Sequence, residues 1–207
     1  DEASAFGIER INPGTAVNML HFERAAKTAY ELECMRAASR RGVDGHRAAE
    51  AAFREGKSEF GIHLDYCTAV GHAEHELPYG NIIALNEHGA VLHYTNLDRE
   101  APADIRSFLI DAGAQVHGYA SDITRTYASS DERFQSLIDR MDEMELAIVD
   151  KVQAGVDYRD LHVGAHKMLA EVLVDAELAS GDPDTLLATG VTSAFFPHGL
   201  GHLLGIQ

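Results

Sequence analysis

Two aspartates lie where a hairpin-like stretch of the sequence could bring their carboxylates together. Asp111 follows an unbroken hydrophobic run, Ser107 to Ile110, and Asp122 falls within a second run, Tyr119 to Tyr127, rich in Thr, Ile and Tyr. The turn-rich sequence between the runs predicts a β-hairpin with a long connection. Buried carboxylates need partners and repel each other as anions, so the pair predicts a shared cation, most simply a metal ion. The alternative is that both aspartates cap strand ends and face water.

A second group of candidate ligands lies in the C-terminal segment Phe195 to Gln207. It places His198 and His202 four residues apart in an apolar segment punctuated by Gly and Pro. A neutral imidazole is a common metal ligand, and two histidines in such a segment are unfavourable as residues of a hydrophobic core. The pair therefore favours a metal or substrate site over two unrelated core histidines.

Three motifs together resemble a known enzyme family. They are the hairpin segment from Asp111 to Tyr127, the segment PYGNIIALNEHGAVLHYT from Pro78 to Thr95, and FFPHGLGHLLG from Phe195 to Gly205. In this order they resemble the bacterial prolidases, which are Xaa-Pro dipeptidases of the creatinase and methionine-aminopeptidase superfamily, peptidase family M24. The resemblance covers nearly the whole chain.

The resemblance implies a pair of divalent metal ions, with Mn²⁺ the expected metal. In the family two aspartates, one histidine and two glutamates hold the pair. Matching the motifs assigns Asp111, Asp122 and His202 as metal ligands. The two glutamates and a further active-site histidine are expected beyond Gln207.

The same resemblance assigns residues that would contact the substrate. His93 and His198 are expected to act in catalysis, and Tyr79 is expected to line the substrate pocket. From the residues alone, His93 lies between Leu92 and Tyr94 in a predicted strand, where a half-buried structural histidine is the alternative. Tyr79 follows a proline at a strand entry and could equally serve in packing.

The implied fold is the α/β pita-bread fold, a curved antiparallel sheet covered by helices, here incomplete at its C-terminus. Residues 1–24 are expected to connect to an absent N-terminal domain, and residues 25–207 to form part of the catalytic domain. The expectation is therefore a fragment truncated at both ends and inactive by itself.

The implied activity is hydrolysis of Xaa-Pro dipeptides by a hydroxide bridging two metal ions. Some relatives also hydrolyse organophosphorus esters, and the full-length protein is expected to be a homodimer. Two alternatives remain: an Xaa-Pro aminopeptidase of the aminopeptidase P type, and a non-catalytic binding module that keeps the fold.

Composition limits the class of partner. The formal net charge of −16 over 207 residues argues against nucleic acid and anionic membranes, which need clustered Lys and Arg. The two cysteines, Cys34 and Cys67, are too few for a disulfide framework and lack zinc spacing. No apolar run approaches the roughly 20 residues of a membrane span, so a cytoplasmic protein is expected.

Periodicity and punctuation predict the elements that carry these residues. A strand at residues 81–85, a turn at 86–89 and a strand at 90–95 are predicted before the central hairpin. The histidines and glutamates of residues 72–76 are interpreted as a polar loop, and His162 and His166 as an exposed helix face. Predicted helices span residues 25–41, 46–55, 58–71, 130–154 and 161–178.

Overall fold

The structure, a computed structural model, describes residues 13–206. Its α-helices are α1 Gly14–Ala25, α2 Ala29–Arg54, α3 Glu59–Val70, α4 Glu132–Val149, α5 Tyr158–Asp175, α6 Pro183–Ala188 and α7 Val191–Phe195. Its strands are β1 Ile82–Leu85, β2 Ser107–Ala112, β3 Gln115–Val116, β4 Tyr119–Ala120 and β5 Ile123–Ala128. Short 3₁₀ helices span Glu74–Glu76 and Asn86–Ala90. Within the described range, no helix is both long and apolar enough to cross a membrane.

The predicted connecting segment, residues 1–24, falls only partly within the described range. From residue 14 onwards it is helical, as α1, and none of the residues of α1 is buried. The remainder of that prediction lies outside the described residues.

One long helix replaces the two helices predicted over residues 25–41 and 46–55. A capping box starts α2: Thr28 Oγ1 accepts from the Glu31 amide at 3.3 Å, and Glu31 Oε2 accepts from the Thr28 amide at 2.7 Å. The helix continues through Gly45, where a glycine is needed because a side chain would not fit. A Cβ would lie 2.5 Å from Tyr66 Cε2 of α3. The glycine is explained by close packing between helices and does not end the helix.

The boundaries predicted for the next helix are confirmed. Ser58 Oγ accepts a hydrogen bond from the Gly61 amide and caps the start of α3. Gly71, with φ of 66°, forms the left-handed C-terminal stop. Cys67 lies in α3, and Cys34, also predicted to be helical, lies buried in α2.

A three-stranded antiparallel sheet in the order β1-β2-β5 carries the central hairpin. The short β3–β4 hairpin is inserted between β2 and β5. Asp111 pairs across the sheet with Ile82 on one side and Thr124 on the other. The predicted hairpin and the strand at residues 81–85 are confirmed, but Asp122 lies in the loop immediately before β5 and not inside the strand.

The strand predicted at residues 90–95 is wrong. Those residues form the end of a 3₁₀ helix, a turn and an irregular segment, with no strand pairing among the described residues. His93 has a φ of 55°, in the left-handed region that extended strands exclude. The buried Tyr94 hydroxyl donates to Glu59 Oε2 at 2.8 Å, so this segment is held by a side chain instead of a strand neighbour.

Alternation along β2 separates the core from the opposite face of the sheet. Phe108, Ile110 and Ala112 are buried, whereas Leu109 and Asp111 are only partly buried. The inward residues join α2, α3 and β1 in one hydrophobic cluster, whose fully buried members include Ala49, Ala52, Phe53, Ile62, Tyr66 and Ile83. Asp111 therefore lies on the face of the sheet away from this core.

A second hydrophobic cluster joins α4 and α5. Met144, Ile148, Ala165, Leu169 and Leu173 form its buried centre. The two helices are shorter or shifted relative to the predicted 130–154 and 161–178, with Asp131 and Asp157 as their N-terminal caps.

The prediction of an exposed face at His162 and His166 is wrong. His166 is buried, and its Nδ1 lies 3.0 Å from Thr192 Oγ1. The two imidazole rings contact each other edge to face, with centroids 4.6 Å apart.

Candidate metal centre

The two aspartates of the hairpin converge on the hydroxyl of Tyr79. Its oxygen lies 2.9 Å from Asp111 Oδ1 and 2.9 Å from Asp122 Oδ1. A tyrosine hydroxyl carries one proton, so it can donate fully to only one of these oxygens at a time. One small polar group thus stands between two carboxylates, in the position where a cation would compensate both.

The electrostatics of the pair are unfavourable without a cation. Burial raises the pKa of Asp111, and the neighbouring charge of Asp122 acts in the same direction. A hydrogen bond from Tyr79 partly opposes these effects. Burial, followed by the two carboxylates, raises the pKa of the Tyr79 hydroxyl, which keeps it a neutral donor.

Close backbone packing at Gly113 brings the loop before β5 against the end of β2. A Cβ at this position would overlap the carbonyl oxygen of Ser121 and lie 2.8 Å from Tyr79 Cε1 and 2.9 Å from Pro78 Cγ. The buried Ser121 accepts from the Ala114 amide through its Oγ at 3.0 Å and donates its own amide to the Ala114 carbonyl at 2.8 Å. Gly113 thus permits the approach that sets Asp122 beside Asp111.

His202 reaches the pair from the C-terminal segment. Its Nε2 lies 3.2 Å from Asp122 Oδ2, and its Nδ1 lies 3.0 Å from the carbonyl oxygen of Leu203. An Nδ1–H donated to a backbone carbonyl leaves the Nε2 lone pair directed at Asp122, which is the arrangement of a metal-binding histidine. The segment is positioned by β4, because the Ala120 amide donates to the Gly205 carbonyl at 3.0 Å.

Asp122 and His202 are spaced as two ligands of one divalent metal ion, and Asp111 joins them through the shared contact with the Tyr79 hydroxyl. Nitrogen and oxygen ligands of one ion, each about 2.0–2.2 Å from it, lie roughly 3–3.5 Å apart. The 3.2 Å between His202 Nε2 and Asp122 Oδ2 falls in that range. Two carboxylates and one imidazole are the donor set that Mn²⁺, Co²⁺ and Zn²⁺ accept.

The two predicted catalytic histidines lie beside each other. The rings of His93 and His198 have centroids 6.2 Å apart and planes tilted by 43°. The imidazole of His93 also acts on the pKa of Asp111, lowering it against the effect of burial. All six predicted site residues thus fall in one region of the structure.

A cavity of about 890 Å³ adjoins this region, between the outer face of the sheet and helices α4 and α5. Thr124 lines the cavity and is the cross-strand neighbour of Asp111. None of the six predicted site residues lines it. The aspartates therefore sit at its border.

The sequence matches a metallopeptidase family. A model of metallopeptidase family M24 matches residues 33–207. The chain belongs to metallopeptidase family M24. Enzymes of this family use divalent metal ions, in agreement with the kind of cofactor predicted for Asp111, Asp122 and His202.

The M24 chain is similar in sequence to curated Xaa-Pro dipeptidases. It is 61% identical over 197 residues to the Xaa-Pro dipeptidase of Xanthomonas campestris pv. campestris strain B100, covering 95% of this chain and 45% of that protein. It is 53% identical over 207 residues to the Xaa-Pro dipeptidase of Shewanella oneidensis, covering 100% of this chain and 47% of that protein. The M24 chain spans about half the length of these relatives.

Solved structures confirm the predicted fold class. Escherichia coli aminopeptidase P with the inhibitor Pro-Leu matches with a TM-score of 0.83 at 27% identity, covering 90% of this chain and 43% of that chain. The zinc-substituted enzyme in complex with product matches with a TM-score of 0.80 at 27% identity, covering 88% and 42%. The M24 chain has the mixed helix-and-sheet pita-bread architecture, with small antiparallel sheets packed against helices.

The position of the Tyr79 hydroxyl could not be predicted from spacing. Tyr79 and Asp111 are 32 residues apart, and the resemblance indicates a wall of the substrate pocket. The structure directs the hydroxyl at the two carboxylates, and the expected role in the substrate pocket stays a prediction. Tyr79 comes just before β1, which pairs with β2, the strand that carries Asp111. This position indicates a contact between Tyr79 and Asp111 only once the order of the strands is known.

Proposed function

We propose that this chain is part of a metal-dependent Xaa-Pro dipeptidase. The observation that carries the proposal is the convergence of Asp111, Asp122 and His202 in a chain of family M24. The identity of 53–61% to Xaa-Pro dipeptidases supports the same substrate class.

The three ligand side chains would hold one face of a pair of divalent ions. When bound, the ions would supply a water nucleophile whose pKa is lowered from about 15.7 towards neutrality. Asp111 and Asp122 provide the negative charge that attracts the ions to this position. Tyr79 would donate to a ligating carboxylate oxygen and fix its orientation.

His93 and His198 would act on the substrate. The two imidazole rings lie beside each other, and His93 is near enough to Asp111 to affect its pKa. Both residues are exposed, so a peptide can reach them. Each can orient the carbonyl of the bond preceding proline and donate to the oxygen that gains charge. One such donor contributes about 3 kcal/mol to stabilising the transition state.

The finer assignments belong to the same proposal. Manganese is favoured by the resemblance, and oxygen and nitrogen ligands suit it. A cytoplasmic location agrees with the two free cysteines, Cys34 and Cys67, which a reducing compartment preserves. The resemblance adds a homodimer as the assembly of the full-length enzyme.

A second candidate function is an Xaa-Pro aminopeptidase of the aminopeptidase P type. The structural matches to Escherichia coli aminopeptidase P favour it. Both activities would use the same metal ligands and differ in how the peptide is accommodated on either side of the scissile bond. A substrate panel separates them.

The experiment uses a protein with the length of the curated relatives, stripped of metal and assayed with and without Mn²⁺. We expect Mn²⁺-dependent hydrolysis of Gly-Pro and Leu-Pro and little hydrolysis of a tripeptide with proline second. Asp122→Asn should reduce the rate at least 100-fold, because one ligand charge is lost. Asp104→Asn changes an exposed carboxylate and serves as the matched control.

Preference for the tripeptide would move the assignment to aminopeptidase P. Hydrolysis by Asp122→Asn at the unchanged rate would contradict the metal assignment. The absence of hydrolysis with Mn²⁺, Co²⁺ or Zn²⁺ would favour a non-catalytic binding module.

A further inference from the structure

Within residues 13–206, two groups of side chains that could ligate a metal ion lie outside the candidate metal centre. One comprises Glu59, His88 and Asp98, and the other His63, Cys67 and Glu74. In the first, both oxygens of Glu59 already accept two hydrogen bonds each, from the amides of Leu85 and Asp98 and from the side chains of His88 and Tyr94. The carboxylate has no lone pair left for an ion.

The second group combines a nitrogen, a sulfur and an oxygen donor. His63 and Cys67 are one helical turn apart on α3, and Glu74 begins the 3₁₀ helix that follows it. His63 Nε2 lies 3.6 Å from Cys67 Sγ and 2.5 Å from Glu74 Oε2. All three ligand atoms lie within 4.8 Å of one another.

The separation of the nitrogen and sulfur atoms matches that of two zinc ligands. Zn–S and Zn–N bonds of about 2.3 and 2.05 Å at a tetrahedral angle place the two atoms about 3.6 Å apart. The Glu74 oxygen is closer to His63 than two ligands of one ion would be. Its side chain is 70% exposed, so it can retreat into solvent by the fraction of an ångström that is required.

The other side of His63 contains an unsatisfied polar atom. Asn81 is 5% exposed, its Nδ2 lies 3.3 Å from His63 Nδ1, and its Oδ1 has no hydrogen-bond partner in the described part of the chain. The two amide orientations each leave one Asn81 atom unpartnered, and the one that places Oδ1 against His63 Nδ1 lets Nδ1 donate its proton to Asn81. The Nε2 lone pair is thereby released towards Cys67 and Glu74, in the tautomer that a metal needs.

The group opens onto a surface cavity of about 440 Å³, which His63, Cys67 and Glu74 line together with His72 and Gly71. This space admits an ion and a water molecule as fourth ligand. A reactive thiolate is the alternative explanation for Cys67. Burial, followed by the charge of Glu74, raises the pKa of the Cys67 thiol to about 11, so without an ion Cys67 is a neutral thiol and a poor nucleophile. A bound ion would displace the thiol proton, so Co²⁺ or Zn²⁺ binding should release a proton.

We propose that His63, Cys67 and Glu74 form a second metal site, suited to Zn²⁺, with Asn81 orienting the histidine. The site is independent of the proposed peptidase function. It joins α3 to the segment 74–81, which carries Tyr79 to the aspartate pair. A bound ion would therefore fix the segment that positions the Tyr79 hydroxyl.

The interpretation of residues 72–76 as a polar loop needs a correction in this light. Glu74–Glu76 is a 3₁₀ helix, and Glu74 contacts a buried histidine. Spacing could not predict the group, because His63 and Cys67 belong to the preceding helix and Glu74 is brought back to them by the stop at Gly71.

The test is titration of the metal-free protein, at the length of its curated relatives, with Co²⁺, which replaces Zn²⁺ and gives a charge-transfer absorption band when bound to sulfur. We expect this band at one Co²⁺ per chain, and its loss on addition of Zn²⁺. Cys67→Ser should abolish the band. Cys34→Ser, which removes the other cysteine, should keep it, as should Asp122→Asn at the candidate metal centre.

A further variant covers the case in which Cys67→Ser does not fold. Glu74→Gln alters an exposed side chain, leaves the thiol in place and should weaken Co²⁺ binding at least tenfold. His75→Gln, at the exposed neighbouring residue, should leave the affinity unchanged. Absence of the band in the unaltered chain, or its loss in Cys34→Ser but not in Cys67→Ser, would overturn the proposal.

Discussion

Replacing Glu59 by glutamine is expected to lower the free energy of unfolding by about 3 kcal/mol, because the buried carboxylate accepts four hydrogen bonds. Its partners are the amides of Leu85 and Asp98, the hydroxyl of Tyr94 and the ring of His88. A glutamine would direct an NH₂ group at two of these donors. For a domain of this size the melting temperature should fall by about 6–12 °C.

The four contacts of Glu59 also hold the ends of the segment that contains His93. Glu59→Gln should therefore increase amide hydrogen exchange at Leu85 and Asp98 more than in the rest of the sheet. Glu55→Gln, at an exposed side chain after α2, is the matched control and should change little. A melting temperature unchanged by Glu59→Gln would contradict the assignment of this carboxylate as the anchor of residues 85–98.

The second large effect is expected for Gly113→Ala. The added methyl group would overlap the Ser121 carbonyl oxygen and press on Tyr79 and Pro78. Because the first of these is backbone, rotamer changes cannot relieve the overlap. We expect a loss of about 3 kcal/mol in the free energy of unfolding, at the upper end of overpacking effects.

The same change should weaken Mn²⁺ binding at least tenfold, since Ser121 precedes Asp122 and both would be displaced from Asp111. Gly80→Ala is the control, because a Cβ there meets no atom within 4 Å. It should alter stability by less than about 1 kcal/mol. Equal effects of the two substitutions would show that the close approach at Gly113 does not position the aspartates.

The parts of the fold that local chemistry determines were predictable from the sequence. Ser58 and Gly71 bound α3 as the capping rules require, and the strand at residues 81–85 and the central hairpin follow from runs of apolar residues between turns. The continuity of α2 was not predictable. Gly42 and Gly45 lie in the predicted break between residues 41 and 46, and only the packing of Tyr66 against Gly45 explains a glycine inside a continuous helix.

The segment around His93 shows a different limit. Its composition is that of a strand, but a strand needs a hydrogen-bonded neighbour, and residues 13–206 provide none for it. The buried contact between Tyr94 and Glu59 determines its course instead. Glu59 and Tyr94 are 35 residues apart, so no local pattern indicates their hydrogen bond.

The candidate site was predictable in its residue types but not in its internal contacts. Asp111, Asp122 and His202 were identified by motif; in the structure Asp122 contacts His202, and the Tyr79 hydroxyl links Asp122 to Asp111. The roles assigned to them, and to His93 and His198, stay predictions. What sequence could not supply is the Tyr79 hydroxyl between the carboxylates, which depends on the order of strands.

The most direct measurement is the anomalous scattering of Mn²⁺ in a crystal of the protein at the length of its relatives. We predict two peaks beside this group, with a carboxylate oxygen of Asp111, a carboxylate oxygen of Asp122 and His202 Nε2 each within about 2.0–2.3 Å of at least one of them. The Tyr79 hydroxyl should then donate to one carboxylate only. A Tyr79 hydroxyl still bridging both aspartates, with no anomalous peak beside them, would contradict the assignment of this site as the metal centre.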